Sequence, residues 1–190
     1  MENFDTSSSI DPANVSYRNT AVRNGAIWGG ASILLTLIGF LTNTDPGMPD
    51  TNGAMKAFYS IAGIGVAIWA VVMAVRHHRD RELGGYISLG RSVMVGLMVG
   101  LVAGAIGAVF MVLYTSVINP DYAETMKAAM QAQWEAQGMS DEQIEMAASM
   151  SGWVTNPIFL FIVQIFSGTI FGLFLGLIVG AIMKKERPLA

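Results

Sequence analysis

Few side chains in this sequence carry reactive or metal-ligating atoms, and the most conspicuous are the adjacent His77 and His78. Neighbours on a helix point about 100° apart, so the pair cannot close on one ion. With no cysteine and no further histidine in the chain, nothing completes a ligand shell. Flanked by Arg76 and Arg79, the two imidazoles read as part of a basic cluster facing lipid headgroups. The 13 methionines raise the thought of thioether copper binding, with Met126, Met130, Met139, Met146 and Met150 as its candidates. No His or Cys accompanies them, and methionine reads instead as adaptable apolar filler. Tyr86, Ser88, Arg91 and the histidine pair are the only clustered polar residues from which an active site at a membrane boundary could be drawn. They include neither a nucleophile with its base nor a glycine-rich phosphate loop. The sequence therefore predicts no catalytic residue, no metal and no cofactor.

The elements that would carry these residues follow from composition. Of 190 residues, 53% are hydrophobic and only 13% charged, with a mean hydropathy of +0.49. A soluble domain carries about 25% charged residues. Four stretches free of charge, 24–41, 57–75, 92–118 and 157–183, each approach or exceed the roughly 20 residues that cross a bilayer as a helix. The fold predicted is an all-α integral membrane bundle of four transmembrane helices, with an extracytoplasmic helical hairpin over about 120–150. Residues 1–20 form a flexible polar leader, and 21–190 the membrane domain.

Basic residues near span ends stay on the cytoplasmic side. Arg18 and Arg23 precede the first span, Arg76, Arg79, Arg81 and Arg91 separate the second from the third, and Lys184, Lys185 and Arg187 follow the fourth. The other two loops hold only Lys56 and Lys127, against Asp45, Asp50, Asp121, Glu124, Glu135, Asp141, Glu142 and Glu145. Both termini are thus expected in the cytoplasm, and a net charge of -3 gives no reason to expect nucleic acid. In the longer acidic loop, Asn119 with Pro120 reads as a helix start, Gly138 as a stop, and Ser140 with Gln143 as a capping box. Tyr122, Met126, Met130 and Trp134 recur every four residues, an apolar stripe suited to the membrane surface or to covering the bundle.

Within the spans, glycine is the pattern that stands out. Gly168, Gly172, Gly176 and Gly180 line one stripe of the fourth span, and Gly96, Gly100 and Gly104 line one of the third. In lipid, helices associate through close backbone approach at small residues, because lipid tails are as apolar as leucine. The two stripes are expected to meet within the chain. Facing a second protein or lining a hydrated path are the alternatives. The polar residues inside the fourth span, Gln164, Ser167 and Thr169, read as groups satisfied by helix carbonyls or neighbouring helices. Gln164 is first a candidate for an interhelical hydrogen bond and second a lining residue of a path.

Five local features together resemble a known family: Tyr86, Ile87, Ser88 and Gly90 ahead of a glycine-bearing span; Asn119-Pro120-Asp121; Gly138-Met139-Ser140; Asp141-Glu142; and the glycine-bearing final span. The chain is similar over about 21–185 to domain-of-unknown-function family 4199, with Leu89 standing where an aromatic is expected. That resemblance implies a four-span protein of the bacterial inner membrane and no particular chemistry. The function expected is that of a non-enzymatic accessory or scaffold subunit, acting through helix packing. Its expected partners are the lipid bilayer and another membrane protein or a second copy. The alternative is a small transporter or channel with its path near Gln164, Ser167 and Thr169.

Overall fold

The structure is a computed structural model that describes residues 14–185. The predicted leader up to residue 13, and Arg187, lie outside the described residues. Four helices are long and apolar enough to cross a membrane: α1 (Arg18–Leu41), α2 (Gly53–His77), α3 (Leu89–Leu113) and α6 (Pro157–Met183). Two shorter helices, α4 (Tyr122–Ala136) and α5 (Asp141–Ser151), lie between α3 and α6. Among the described residues there is no strand, only one antiparallel bridge between Ile87 and Lys185.

Local sequence explains where most helices begin. Asn52 accepts from the Met55 N–H at 2.9 Å to start α2, and Ser88 accepts from the Arg91 N–H at 3.3 Å to start α3. Asn156 accepts from Ile158 at 2.9 Å with Pro157 at the first helical position of α6. Ser140 and Gln143 form a reciprocal capping box on α5. Gly138 holds a φ of 77° between α4 and α5, a left-handed conformation suited to a residue with no Cβ.

Asn119 departs from the expected pattern. It does not cap α4, whose N-cap is Asp121 without a side-chain bond. The Asn119 amide donates instead to the Tyr114 hydroxyl at 3.3 Å. The preceding π turn has taken the side chain that would otherwise have served as a cap.

Two of the long helices end in a single π-helical turn, α2 in His78–Glu82 and α3 in Tyr114–Ile118. Each turn opens on a fully enclosed polar residue, His78 in one and Tyr114 in the other. Such turns cost backbone regularity and are enriched at functional sites.

Helix α3 is central. It packs along α6 on one side and along α1 on another, while α2 leans against all three. The core joins Val95, Val99 and Ala103 of α3 to Ala67, Ala70, Val71, Ala74 and Val75 of α2 and to Ala21 and Trp28 of α1. The outward faces are apolar as well, with Ile61, Phe166, Phe174 and Ile182 among the exposed residues. In water such a surface would drive association; in hydrocarbon it is the matching solvent. Of the four long helices, α6 is the least enclosed.

Candidate functional site

The glycines of α3 and α6 face one another. A Cβ built on Gly96 would stand 2.5 Å from the Gly172 carbonyl oxygen, and one on Gly168 would stand 2.8 Å from that of Gly100. Gly104 faces the Gln164 backbone at 2.9 Å and Gly176 faces that of Ser92 at 3.0 Å. Gly180 meets the Ser92 side chain at 2.7 Å. Except at Gly180, the opposing surface at these glycines is backbone, which cannot step aside. Helix α1 meets α3 differently: Gly25 and Gly29, also four apart, receive Val102 and Ile106 of α3, and a Cβ on Gly25 would stand 2.7 Å from the Val99 carbonyl oxygen as well. The centre of the α3–α6 seam is glycine on glycine, and the α1–α3 seam sets glycine against branched residues and, at Gly25, against backbone.

The polar residues of α6 do not gather into a site. Gln164 and Ser167 are exposed on the helix surface, and the Thr169 hydroxyl donates to its own helix at Ile165 O, 2.7 Å away. Gln164 lies over Gly107 and, among the described residues, forms no interhelical hydrogen bond with its amide. The hydrogen bond expected of it is absent because the facing surface of α3 is glycine, which presents no side-chain partner.

The stripe of α4 is half-buried throughout. Tyr122 packs edge-on to Tyr114, with ring centroids 6.0 Å apart, over one end of the bundle. Met130 and Trp134 line a cavity of about 230 Å³ shared with Ile144 and Ala148 of α5. Met126 lies between these contacts on the same half-buried stripe.

The enclosed polar chemistry sits at the two ends of the bundle. At the end carrying the arginines, the Arg91 Nε–H donates to His78 Nε2 at 3.1 Å. A guanidinium can only donate, so Nε2 must hold a lone pair, and the ring proton is on Nδ1. Nδ1 bonds to Glu82 Oε2, and the other Glu82 oxygen accepts from the Thr20 hydroxyl at 2.5 Å. Arg91 also donates to the Val15 carbonyl and lies 4.8 Å from the centre of the Tyr17 ring. Tyr17 in turn stands edge-on to His78, 6.1 Å between centroids. One connected network thus ties the segment before α1, α1 itself, the π turn after α2, and the start of α3.

This is a correction to the sequence reading of the histidine pair. His77 is exposed, but His78 is completely enclosed and faces the bundle, not headgroups. Both of its nitrogens are engaged, so it is an orienting hub between a carboxylate and a guanidinium and has no ring nitrogen left for a substrate. The last turn of α6 is held at the same end, where Arg79 donates to the Met183 carbonyl at 3.2 Å.

At the opposite end, Asp45 of the α1–α2 loop is enclosed. Its carboxylate accepts from the Tyr114 hydroxyl and from the Gly47 N–H at 2.8 Å. Its carbonyl accepts from Thr51 at 2.5 Å. Among the described residues no cation pairs with it. Burial, and secondarily the nearby Asp45 charge, push the Tyr122 phenol above its ordinary pKa. A cavity of about 280 Å³ adjoins this network, lined in part by Phe40, Asn43, Asp50 and Asn119.

A family model described as a protein of unknown function, DUF4199, matches residues 23–185. The chain belongs to this family. No curated protein and no solved structure matches it. Membership in DUF4199 and four span-like helices together fit an integral, multi-pass membrane protein.

Thr20, Glu82, Asp45 and Tyr114 were not singled out from sequence. Thr20 and Glu82 are 62 residues apart and Asp45 and Tyr114 are 69, beyond any local spacing rule, and only the four-residue spacing of His78 and Glu82 was a local signal. Gly25 and Gly29 did carry a usable signal, the same four-residue spacing that marks α3 and α6.

Proposed function

We propose that this DUF4199 member is a non-enzymatic accessory or scaffold subunit of the bacterial inner membrane, with both termini in the cytoplasm. The observation that carries the reading is the use of the enclosed ionisable groups. His78 is hydrogen-bonded to both Glu82 and Arg91, and Asp45 to Tyr114, so both sets brace helix ends. The least enclosed helix, α6, spends its glycine side on α3 and leaves its opposite, large-residue side open to lipid or to another protein's span. The asymmetric arginines support the orientation.

A native mass spectrum of the protein, extracted gently from its own membranes, tests the binding role. A companion polypeptide or second copy at fixed stoichiometry is the expected result, and a lone monomer overturns it. Solute flux into protein-loaded vesicles that Gln164→Leu abolishes would support the transporter reading instead. Orientation has its own test, because the chain has no native cysteine. In intact cells an impermeant maleimide should label Glu145→Cys and leave Arg81→Cys unlabelled; the reverse pattern inverts the topology.

A further inference from the structure

The π turn that closes α2 sorts its charged residues onto two sides. Glu82 turns inward to Thr20 and His78, as described above. Arg76, His77, Asp80 and Arg81 turn outward and, with Met73, line an open cavity of about 530 Å³. Spacing accounts for this: 73, 77 and 81 are four apart, as are 76 and 80, so they share one helical face. One turn further along the same stripe, Trp69 is 48% exposed on the apolar part of the span.

The charges in this cavity are unequal. Asp80 is held by Arg79 at 2.6 Å and by Arg76 at 3.7 Å, so its single carboxylate is met by two guanidinium groups. Arg81 is exposed and has no ion-pair partner among the described residues. His77 stands beside it with its side chain 42% exposed, at the boundary between the two sides, its Nε2 3.7 Å from Glu82 Oε1. The result is a cationic recess immediately beyond the charge-free part of a transmembrane helix. Below it stand the apolar side chains of Met73 and Trp69.

We propose that this recess is a binding site for the phosphate headgroup of an anionic phospholipid. The Arg81 guanidinium and Arg76 take the phosphodiester oxygens, since the planar fork of arginine matches phosphate in a bidentate manner. One acyl chain lies along Met73 and Trp69. The clustering of arginines on one side of the membrane is explained by orientation alone. Orientation does not explain an open recess in which an unpaired guanidinium stands directly beyond an exposed apolar stripe of the same helix face, Met73 and then Trp69, in the order that a lipid's own groups follow.

The test is native mass spectrometry of the protein released from nanodiscs made of phosphatidylglycerol and phosphatidylethanolamine in equal parts. Wild type should retain phosphatidylglycerol preferentially, and Arg81→Gln should lower that preference about fivefold, the effect of one arginine near an anionic surface. Arg76→Gln with Arg81→Gln should bring the two lipids to parity. Lys127→Gln, at the other end of the bundle, should change nothing. Equal retention of the two lipids by wild type overturns the proposal, as does an undiminished preference in the double variant. Unchanged thermal stability of the variants in detergent separates loss of the site from loss of the fold. The third arm adds inorganic phosphate: if millimolar phosphate displaces the lipid and raises thermal stability in lipid-free detergent, the ligand is a soluble phosphate and the lipid assignment fails.

Discussion

The middle of this bundle and its two ends are stabilised by opposite means. In the middle, α3 and α6 meet at Gly96, Gly100, Gly168 and Gly172, where contact depends on atoms that are missing. At the ends, contact depends on particular atoms being present: Arg91 on His78, Thr20 on Glu82, and Tyr114 on Asp45. The seam therefore resists additions and the ends resist deletions. The reason is the solvent. In hydrocarbon an apolar side chain gains little by leaving lipid for a neighbouring helix, so the seam gains through backbone proximity and dispersion. The polar groups at the ends would be costly to enclose unless bonded, and each enclosed one is bonded.

The largest effect is expected where an added side chain meets backbone on both sides. In Gly100→Leu the new Cβ collides with the Gly168 carbonyl oxygen and stands 2.8 Å from Gly172 Cα. A loss of more than about 3 kcal/mol is expected, above the usual range for overpacking, because neither helix can yield. Gly172→Leu should match it. Unfolding by graded addition of a denaturing detergent measures both, and wild-type midpoints would mean that the two helices do not meet as described.

At the arginine-bearing end, Arg91→Met removes the donor to His78 Nε2 and to the Val15 carbonyl while keeping a long apolar stem. The expected cost is about 2–3 kcal/mol, that of hydrogen bonds to a charged group. The same variant should release the ring from its fixed tautomer. In wild type, ¹⁵N chemical shifts of labelled His78 should report a proton on Nδ1 alone; a signal from protonated Nε2 contradicts the geometry.

The opposite end should lose a similar amount. Tyr114→Phe deletes one donor to the enclosed Asp45 carboxylate and leaves it with the Gly47 N–H, for an expected loss of about 1.5–3 kcal/mol. Wild-type stability in the same detergent titration would mean that Tyr114 does not brace Asp45.

The smallest effects belong to α1. Gly29→Ala meets Ile106 Cβ and Cγ2 at 2.9 Å, atoms that move only with the α3 backbone, and should cost about 1–2 kcal/mol. Gly30→Ala meets nothing within 4 Å and should stay within about 0.5 kcal/mol of wild type. Circular dichroism melts in mild detergent can rank the pair; equal losses would show that α1 does not approach α3 through the Gly25 and Gly29 face.

The glycine spacing and the helix caps are legible because their information is local. A period of four places Gly168, Gly172 and Gly176 on one stripe whatever surrounds them. Asn156 followed by Pro157 states a helix start in two residues. The polar networks were not legible in the same way. His78 looked like its exposed neighbour His77, and Asp45 looked like one more acidic loop residue. Nothing next to either names Arg91 or Tyr114 as its partner. Asn119 shows the limit from the other side, since its sequence context announced a cap and a hydrogen bond back to Tyr114, in the π turn before it, claimed the side chain.

By itself, then, the sequence determined four apolar spans, the side of the bundle on which the arginines gather, the glycine stripes and the family. The family rests on short motifs and the family-model match; the rest follows from composition and short-range period, which act before any tertiary contact forms. The tertiary structure alone decided that α3 is central, that α1 meets it through Gly25 and Gly29, and that His78 is an enclosed, neutral hub. It also decided that Arg81 is left facing outward. Those outcomes depend on which residues distant in the chain are brought within hydrogen-bonding reach, and a partner at that range sets a side chain's burial and protonation more strongly than its neighbours in sequence do.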